Sequence, residues 1–240
     1  MIERFLSAAG ADRAWRTLRK LARHHIGGWA LTGGFAVEVH RLRRGRQASV
    51  RALNDIDFVA GAFECIPETL ADDFLFRHIH PSDPPGKTIL QLIDPDSALR
   101  VDVFRASGAT MSRTSRLDLP AGACGLISLE DLVARSARLV LDLADGLPVS
   151  SKHAGDFLRL VEIVAPADVE AAWQEHRKPA HPATFEEADR LLQNLIPARQ
   201  NLLITVDCSK DTGEVCPRCA PTPAFRLAEP KLVLSLLGYC

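Results

Sequence analysis

The segment Asn54-Asp55-Ile56-Asp57-Phe58-Val59 constrains the fold more than any other part of the chain. Acidic and apolar residues alternate in it with period two, the pattern of a strand with one buried face. Residues i and i+2 of a strand point the same way, with Cα atoms roughly 6.5–7 Å apart. Asp55 and Asp57 therefore project together while Ile56 and Phe58 pack behind them. Two carboxylates held like this repel each other unless a cation neutralises them. Mg²⁺ suits that role, because it favours carboxylate and phosphate oxygens. In Leu99-Arg100-Val101-Asp102-Val103-Phe104, Leu99, Val101 and Val103 share one face and Asp102 takes the other. If the two strands are neighbours, three carboxylates converge, the ligand set that a site for two Mg²⁺ ions needs.

Upstream, Trp29-Ala30-Leu31-Thr32 reads as a short buried strand that stops at Gly33-Gly34. The stretch that follows places Phe35, Val39 and Leu42 on one helical face. A strand that ends in two glycines and runs straight into a helix exposes backbone N–H groups with no Cβ in the way, so a triphosphate can approach closely. The helix dipole adds a favourable field for that negative charge.

Taken in order, ALTGGFAVEV, RALNDIDFV and LRVDVF resemble the DNA-polymerase-β-type nucleotidyltransferase superfamily. Within it, the resemblance is to small bacterial proteins related to the AbiEii-type toxins, and it spans about residues 25–165. Arg51 matches an Arg that these proteins show four residues before the first Asp, while Leu53 stands where they tend to have Ser or Thr. Downstream, LISLEDLVARSARLV and SSKHAGDFLRL resemble two family helices, with Lys152 and Asp156 in register, His153 replacing an Asp and Ser136 replacing a Lys. The resemblance implies transfer of a nucleoside monophosphate from an NTP to a hydroxyl, with release of pyrophosphate. It assigns Asp55, Asp57 and Asp102 to two Mg²⁺ ions and catalysis, and Gly33, Gly34, Arg51 and Lys152 to the nucleotide. It further implies the toxin of a bacterial two-gene system with a cognate antitoxin as one option. The acceptor is left open among tRNA, a protein hydroxyl and a small molecule. The rival reading is a non-catalytic protein that keeps the fold and uses its tail to bind RNA or protein.

The expected fold is α+β: a mixed sheet flanked by helices, then a helical region, then a Cys-rich tail. Boundaries are placed at 1–125, 126–200 and 201–240. One or two helices open the chain over residues 2–24, and a short helix is expected over 67–76. Residues 87–93 and 99–104 read as a hairpin around Asp94-Pro95-Asp96-Ser97. From residue 128 the pattern is helical, with Ser128 as an N-cap, Ser151 capping a helix to about residue 165, and Thr184 with Glu187 forming a capping box.

Cys208, Cys216, Cys219 and Cys240 give C-x7-C-x2-C-x20-C, and four of the chain's six cysteines lie there. Four sulfurs around a C-P-R-C turn suit tetrahedral, structural Zn²⁺. An iron–sulfur cluster, a redox dithiol and unliganded thiols are the alternatives. Cys65 and Cys124 read as small buried apolar residues. The formal net charge is −1, so any nucleic-acid binding would need a local patch. Arg41, Arg43, Arg44, Arg46 and Arg51 offer one, although such a run usually makes a solvated face. No apolar segment reaches the ~20 residues of a membrane span, no signal peptide is evident, and a cytoplasmic location is the default. His78 and His80 show no third metal ligand, and the Gly86-Lys87-Thr88 run lacks the first glycine of a P-loop.

Overall fold

The structure is a computed structural model and describes residues 1–61, 66–80, 88–120, 122–205 and 222–239. The proposed zinc ligands Cys208, Cys216, Cys219 and Cys240 lie outside the described residues, as does Cys65.

Its centre is a seven-stranded mixed sheet in the order β3-β4-β5-β2-β1-β7-β6. The strands are β1 (Trp29–Leu31), β2 (Asp55–Ala60), β3 (Leu75–Arg77), β4 (Ile89–Asp94), β5 (Leu99–Arg105), β6 (Ser115–Leu119) and β7 (Gly122–Leu126). The pairs β2/β5 and β1/β7 are parallel, and the remaining neighbours are antiparallel. Helix α1 (Ala8–Ala22) starts where the Ser7 hydroxyl accepts the Gly10 N–H at 3.0 Å. It packs on the face of the sheet that carries Leu92 and Asp94, with Thr17 Oγ1 donating to Asp94 Oδ2 at 2.7 Å and Lys20 Nζ 2.6 Å from Asp94 Oδ1. The same Asp94 side chain accepts Asp96 N–H and Ser97 O–H, so it builds the β4–β5 turn as well as anchoring α1.

Helix α2 (Gly33–Arg43) follows β1 directly. Helix α4 (Leu129–Val140) lies over the opposite face, where the Arg135 guanidinium sits 5.5 Å from the centre of the Phe104 ring. Helices α5 (Ser151–Val161), α6 (Pro166–His176) and α7 (Phe185–Ala198) complete the helical layer, and α8 (Pro230–Leu236) lies near the end of the chain. One hydrophobic cluster includes Leu31 and Val103 from the sheet together with Phe157 and Trp173 from the helices. Among the described residues, no helix is long and apolar enough to cross a membrane.

The expected hairpin is β4–β5, and Ser128 and the Thr184–Glu187 box cap α4 and α7 as expected. Two local expectations need correction, and one hairpin was not anticipated. The short helix α3 (Leu70–Asp73) ends early, because Phe76 and Arg77 pair with Leu92 and Gln91 of β4 and tertiary pairing overrides local preference. Helix α5 is capped by Ser150 and stops at Val161; a separate helix then begins with Pro166 at its first turn, where a missing N–H costs nothing. The β6–β7 hairpin leaves no strand pattern in Gly122-Ala123-Cys124-Gly125. Gly125 is there for close approach: a Cβ would stand 2.9 Å from Ala30 Cβ and 3.0 Å from the Trp29 carbonyl oxygen. Cys124, on the same strand, is buried as expected.

The helical layer is tied to the short turn Thr110–Arg113 between β5 and β6 through Asp131, which is fully buried. It receives Arg113 Nε at 2.8 Å, Arg113 Nη2 at 2.7 Å and the Ser128 hydroxyl at 2.7 Å, while His176 Nε2 lies 2.8 Å away. Burial acts to raise the Asp131 carboxyl, but the bonds from Arg113, His176 and Ser128 outweigh it and hold it well below the usual carboxylate range. A depressed folded-state value contributes stability that is present above the unfolded value near 3.9 and is lost as pH falls through and below it. Asp131→Asn should cost about 3–5 kcal/mol near pH 7, and urea denaturation from pH 6 down to pH 3 should show a shallower loss of stability than in the wild type.

Candidate active site

Convergence of the acidic residues follows from strand pairing. In the parallel β2/β5 register, Asp57 is opposite Asp102 and Asp55 opposite Arg100. Ile56 and Phe58 meet Val101 and Val103 in the core behind them. One carboxylate oxygen from each of Asp55, Asp57 and Asp102 lies within 4.8 Å of the others. Burial, reinforced by Asp55 and Asp102, pushes the Asp57 carboxyl well above its ordinary value, while Lys152 and Arg100 oppose the rise. Asp102 is pushed up to about 7, chiefly by burial, with Arg100 acting against it and Asp55 adding to it.

This donor set fits a hard divalent cation. Asp102 is 5% exposed, and its Oδ1 makes no hydrogen bond among the described residues. A buried carboxylate oxygen that makes no hydrogen bond, although Arg100 Nε lies 3.1 Å away, is costly, and coordination to an ion would satisfy it.

The glycine turn is built around the same aspartates. The Thr32 N–H donates to the Asp57 carbonyl oxygen at 2.8 Å, which holds the end of β1 against β2. Gly33 has φ +60°, and a Cβ on it would fall 1.9 Å from Asp57 Oδ2. Both the left-handed backbone and the close approach therefore demand glycine. At Gly34 a Cβ would come 3.0 Å from Arg51 Nη1. The Thr32 side chain makes no capping bond, so no side chain of the cap residue occupies the first-turn N–H groups of α2.

Arg51 stands beside this turn with its guanidinium engaged by protein carboxylates. Nε donates to Glu38 Oε1 at 2.6 Å, Nη1 donates to Asp156 Oδ2 at 3.1 Å, and Nη2 pairs with Asp156 Oδ1. Arg159 Nη2 closes the square on Glu38 Oε2 at 2.8 Å. These four side chains lock α5 to α2, and Lys152 and His153 come with α5. Lys152 lies in its first turn, its N–H donating to Ser150 Oγ at 3.3 Å, and its charge acts on Asp57. The His153 imidazole is lowered by burial first and by Lys152 second, with Asp156 and Asp55 acting in the opposite direction.

Three residues at the site were not singled out from the sequence. Arg100 pairs with Asp55 Oδ2 through Nη2, and its Nε lies 3.1 Å from Asp102 Oδ1. Period-two alternation already placed it on the face of Asp102, so the signal was present. Arg135 feels the Asp57 charge and is adjacent to Ser136, the position at which the proteins that the sequence resembles carry a Lys. Gln91, opposite Asp102 on β4, acts against the upward shift of that carboxyl.

No family model matches the chain, and no curated protein sequence matches it. Among solved structures it is similar to an antigenic nucleotidyltransferase-like protein from Paracoccidioides brasiliensis. The two share 15% identity with a TM-score of 0.43, over 82% of this chain and 95% of that one. A likeness this distant carries no functional weight, which leaves the side chains to bear it.

Gly33→Ala should destabilise the fold by about 1–2 kcal/mol from the left-handed backbone alone, with further loss from the Asp57 clash. Chemical denaturation measures the first effect. Titration with Mn²⁺ should show weakened metal binding, whereas Gly45→Ala, also at positive φ but with open space around its Cβ position, should leave Mn²⁺ binding intact.

Proposed function

We propose that this protein is a metal-dependent nucleotidyltransferase, which moves a nucleoside monophosphate from an NTP to a hydroxyl. The observation that carries the reading is the meeting of Asp55, Asp57 and Asp102 beside a turn in which Gly33 packs directly on Asp57. Asp55, Asp57 and Asp102 would hold Mg²⁺, which when bound supplies charge neutralisation at the phosphates and favours deprotonation of the acceptor hydroxyl. The N–H groups at Gly33 and Gly34 face the phosphates at the positive end of α2. Lys152 and Arg135 add positive charge from the helical side, compensating the negative charge that a triphosphate brings next to three carboxylates. Arg51 contributes by holding α2 and α5 in place through Glu38 and Asp156. In the reaction the acceptor oxygen bonds to the α-phosphorus, the bond from that phosphorus to the leaving oxygen breaks, and pyrophosphate departs while the hydroxyl proton passes to solvent water.

Acceptors within this reading are a tRNA end, a protein hydroxyl or a small molecule, and a role as the toxin of a two-gene system belongs to it as well. The double variant Asp55→Asn/Asp57→Asn should reduce incorporation of labelled NTP into a cell extract to background, tested with each of the four NTPs. Incorporation at the wild-type level would sink the assignment. Structural Zn²⁺ at Cys208, Cys216, Cys219 and Cys240 is a separate proposal from the spacing alone. Metal analysis of protein purified without added metal should find about one equivalent of zinc.

A further inference from the structure

Arg100 lies directly opposite Asp55 across the β2/β5 pair and two residues before Asp102 on β5, so all three side chains share one face of the sheet. The guanidinium bridges two of the three converging carboxylates, pairing with Asp55 through Nη2 and approaching Asp102 Oδ1 to 3.1 Å through Nε. Its side chain is 15% exposed, and those of Asp55 and Asp102 are 19% and 7% exposed. We infer that Arg100 is the resident counter-cation of the carboxylate cluster and competes with divalent metal for Asp55 and Asp102. This inference rests on the metal-dependent reading above.

Three carboxylates within 4.8 Å of one another, largely shielded from water, require positive charge beside them in order to stay ionised together. An arginine cannot shed its proton to escape, so its charge is permanent. The chain therefore carries part of the neutralisation that a metal ion would otherwise have to supply. The fit of Arg100 is incomplete, however. Its Nε and the Asp102 Oδ1 it approaches both lack a hydrogen bond among the described residues. A cation with a freer choice of ligand directions can satisfy that oxygen where the planar guanidinium does not. The consequence is a cluster that stays assembled without metal and binds metal less tightly than three bare aspartates would. Any ion that takes up Asp55 and Asp102 together must first displace Arg100 from them. The nearby Lys152 and Arg135 act on Asp57 through their charge, whereas Arg100 occupies the ligand atoms themselves.

The test uses the full chain stripped of metal with EDTA and Mn²⁺ as the probe. Calorimetric titration should show Arg100→Gln binding Mn²⁺ about tenfold or more tightly than the wild type, the scale of one charge-assisted bond no longer broken on binding. Equal or weaker binding by the variant overturns the inference. Rescue of thermal stability by metal adds a readout that loss of a merely structural arginine would not give. Arg100→Gln should melt below the wild type in EDTA, and Mn²⁺ should restore most of that loss. A deficit that persists in saturating Mn²⁺ would count against a counter-cation role. Should Arg100→Gln fail to fold, Arg100→Lys decides, because one ammonium cannot span both carboxylates as the guanidinium does. It should bind Mn²⁺ more tightly than the wild type, and affinity equal to the wild type again overturns the inference. Failure of the underlying reading looks different: neither the wild type nor either variant would then bind Mn²⁺, or Asp57→Asn would leave the wild-type affinity unchanged.

Discussion

The parallel pairing of β2 with β5 sets the position of everything that acts at the site, because its register puts Asp57 opposite Asp102. The acids themselves repel and cannot choose that register. It is chosen on the other face, where Ile56, Phe58, Val101 and Val103 are fully buried. A slip of β2 by one residue would turn Ile56 and Phe58 toward the polar face, and each is worth roughly 1.5–3 kcal/mol buried. Hydrophobic burial on one side of the strands therefore positions the charges on the other, and the carboxylates are held together by forces that do not act on them directly.

Holding three acids in this way leaves an electrostatic cost, and the surrounding residues answer it at two distances. Arg100 contacts the carboxylates, while Lys152 and Arg135 act on Asp57 from the helices. Farther out, Glu38, Arg51, Asp156 and Arg159 form a nearly dry ionic square between α2 and α5. Buried ion pairs of this kind contribute little net stability compared with apolar residues of the same size, yet losing one member is costly. Their value here is positional, since they keep the start of α5 next to the glycine turn. Asp131 does the corresponding work farther along the helical layer, joining α4 and α6 to the short turn at Arg113.

Much of this arrangement was legible in the residues because it follows local rules. Alternation placed Asp55, Asp57 and Asp102 on faces opposite to their apolar neighbours, and helical spacing with capping residues located α2, α4 and α7. The same alternation also placed Arg100 beside Asp102, although a basic residue in a strand attracts less notice than a pair of acids. Where the reading failed, long-range contacts had overridden local pattern. Phe76 joins a strand because β4 is there to pair with it, and Gly125 serves β7 because Ala30 of β1 lies against it.

By itself, the sequence determined which side chains face together along each element, because periodicity and capping are properties of neighbouring residues. It also determined that Gly33 and Gly34 end a strand at the head of a helix. Which elements lie side by side was decided only in the folded chain. The meeting of Asp57 with Asp102, the bridge from Arg100 to Asp55, and the capture of Arg51 by Asp156 join positions dozens of residues apart. Strand order and helix docking are settled by the burial of the whole apolar surface at once, so no local window of sequence contains them.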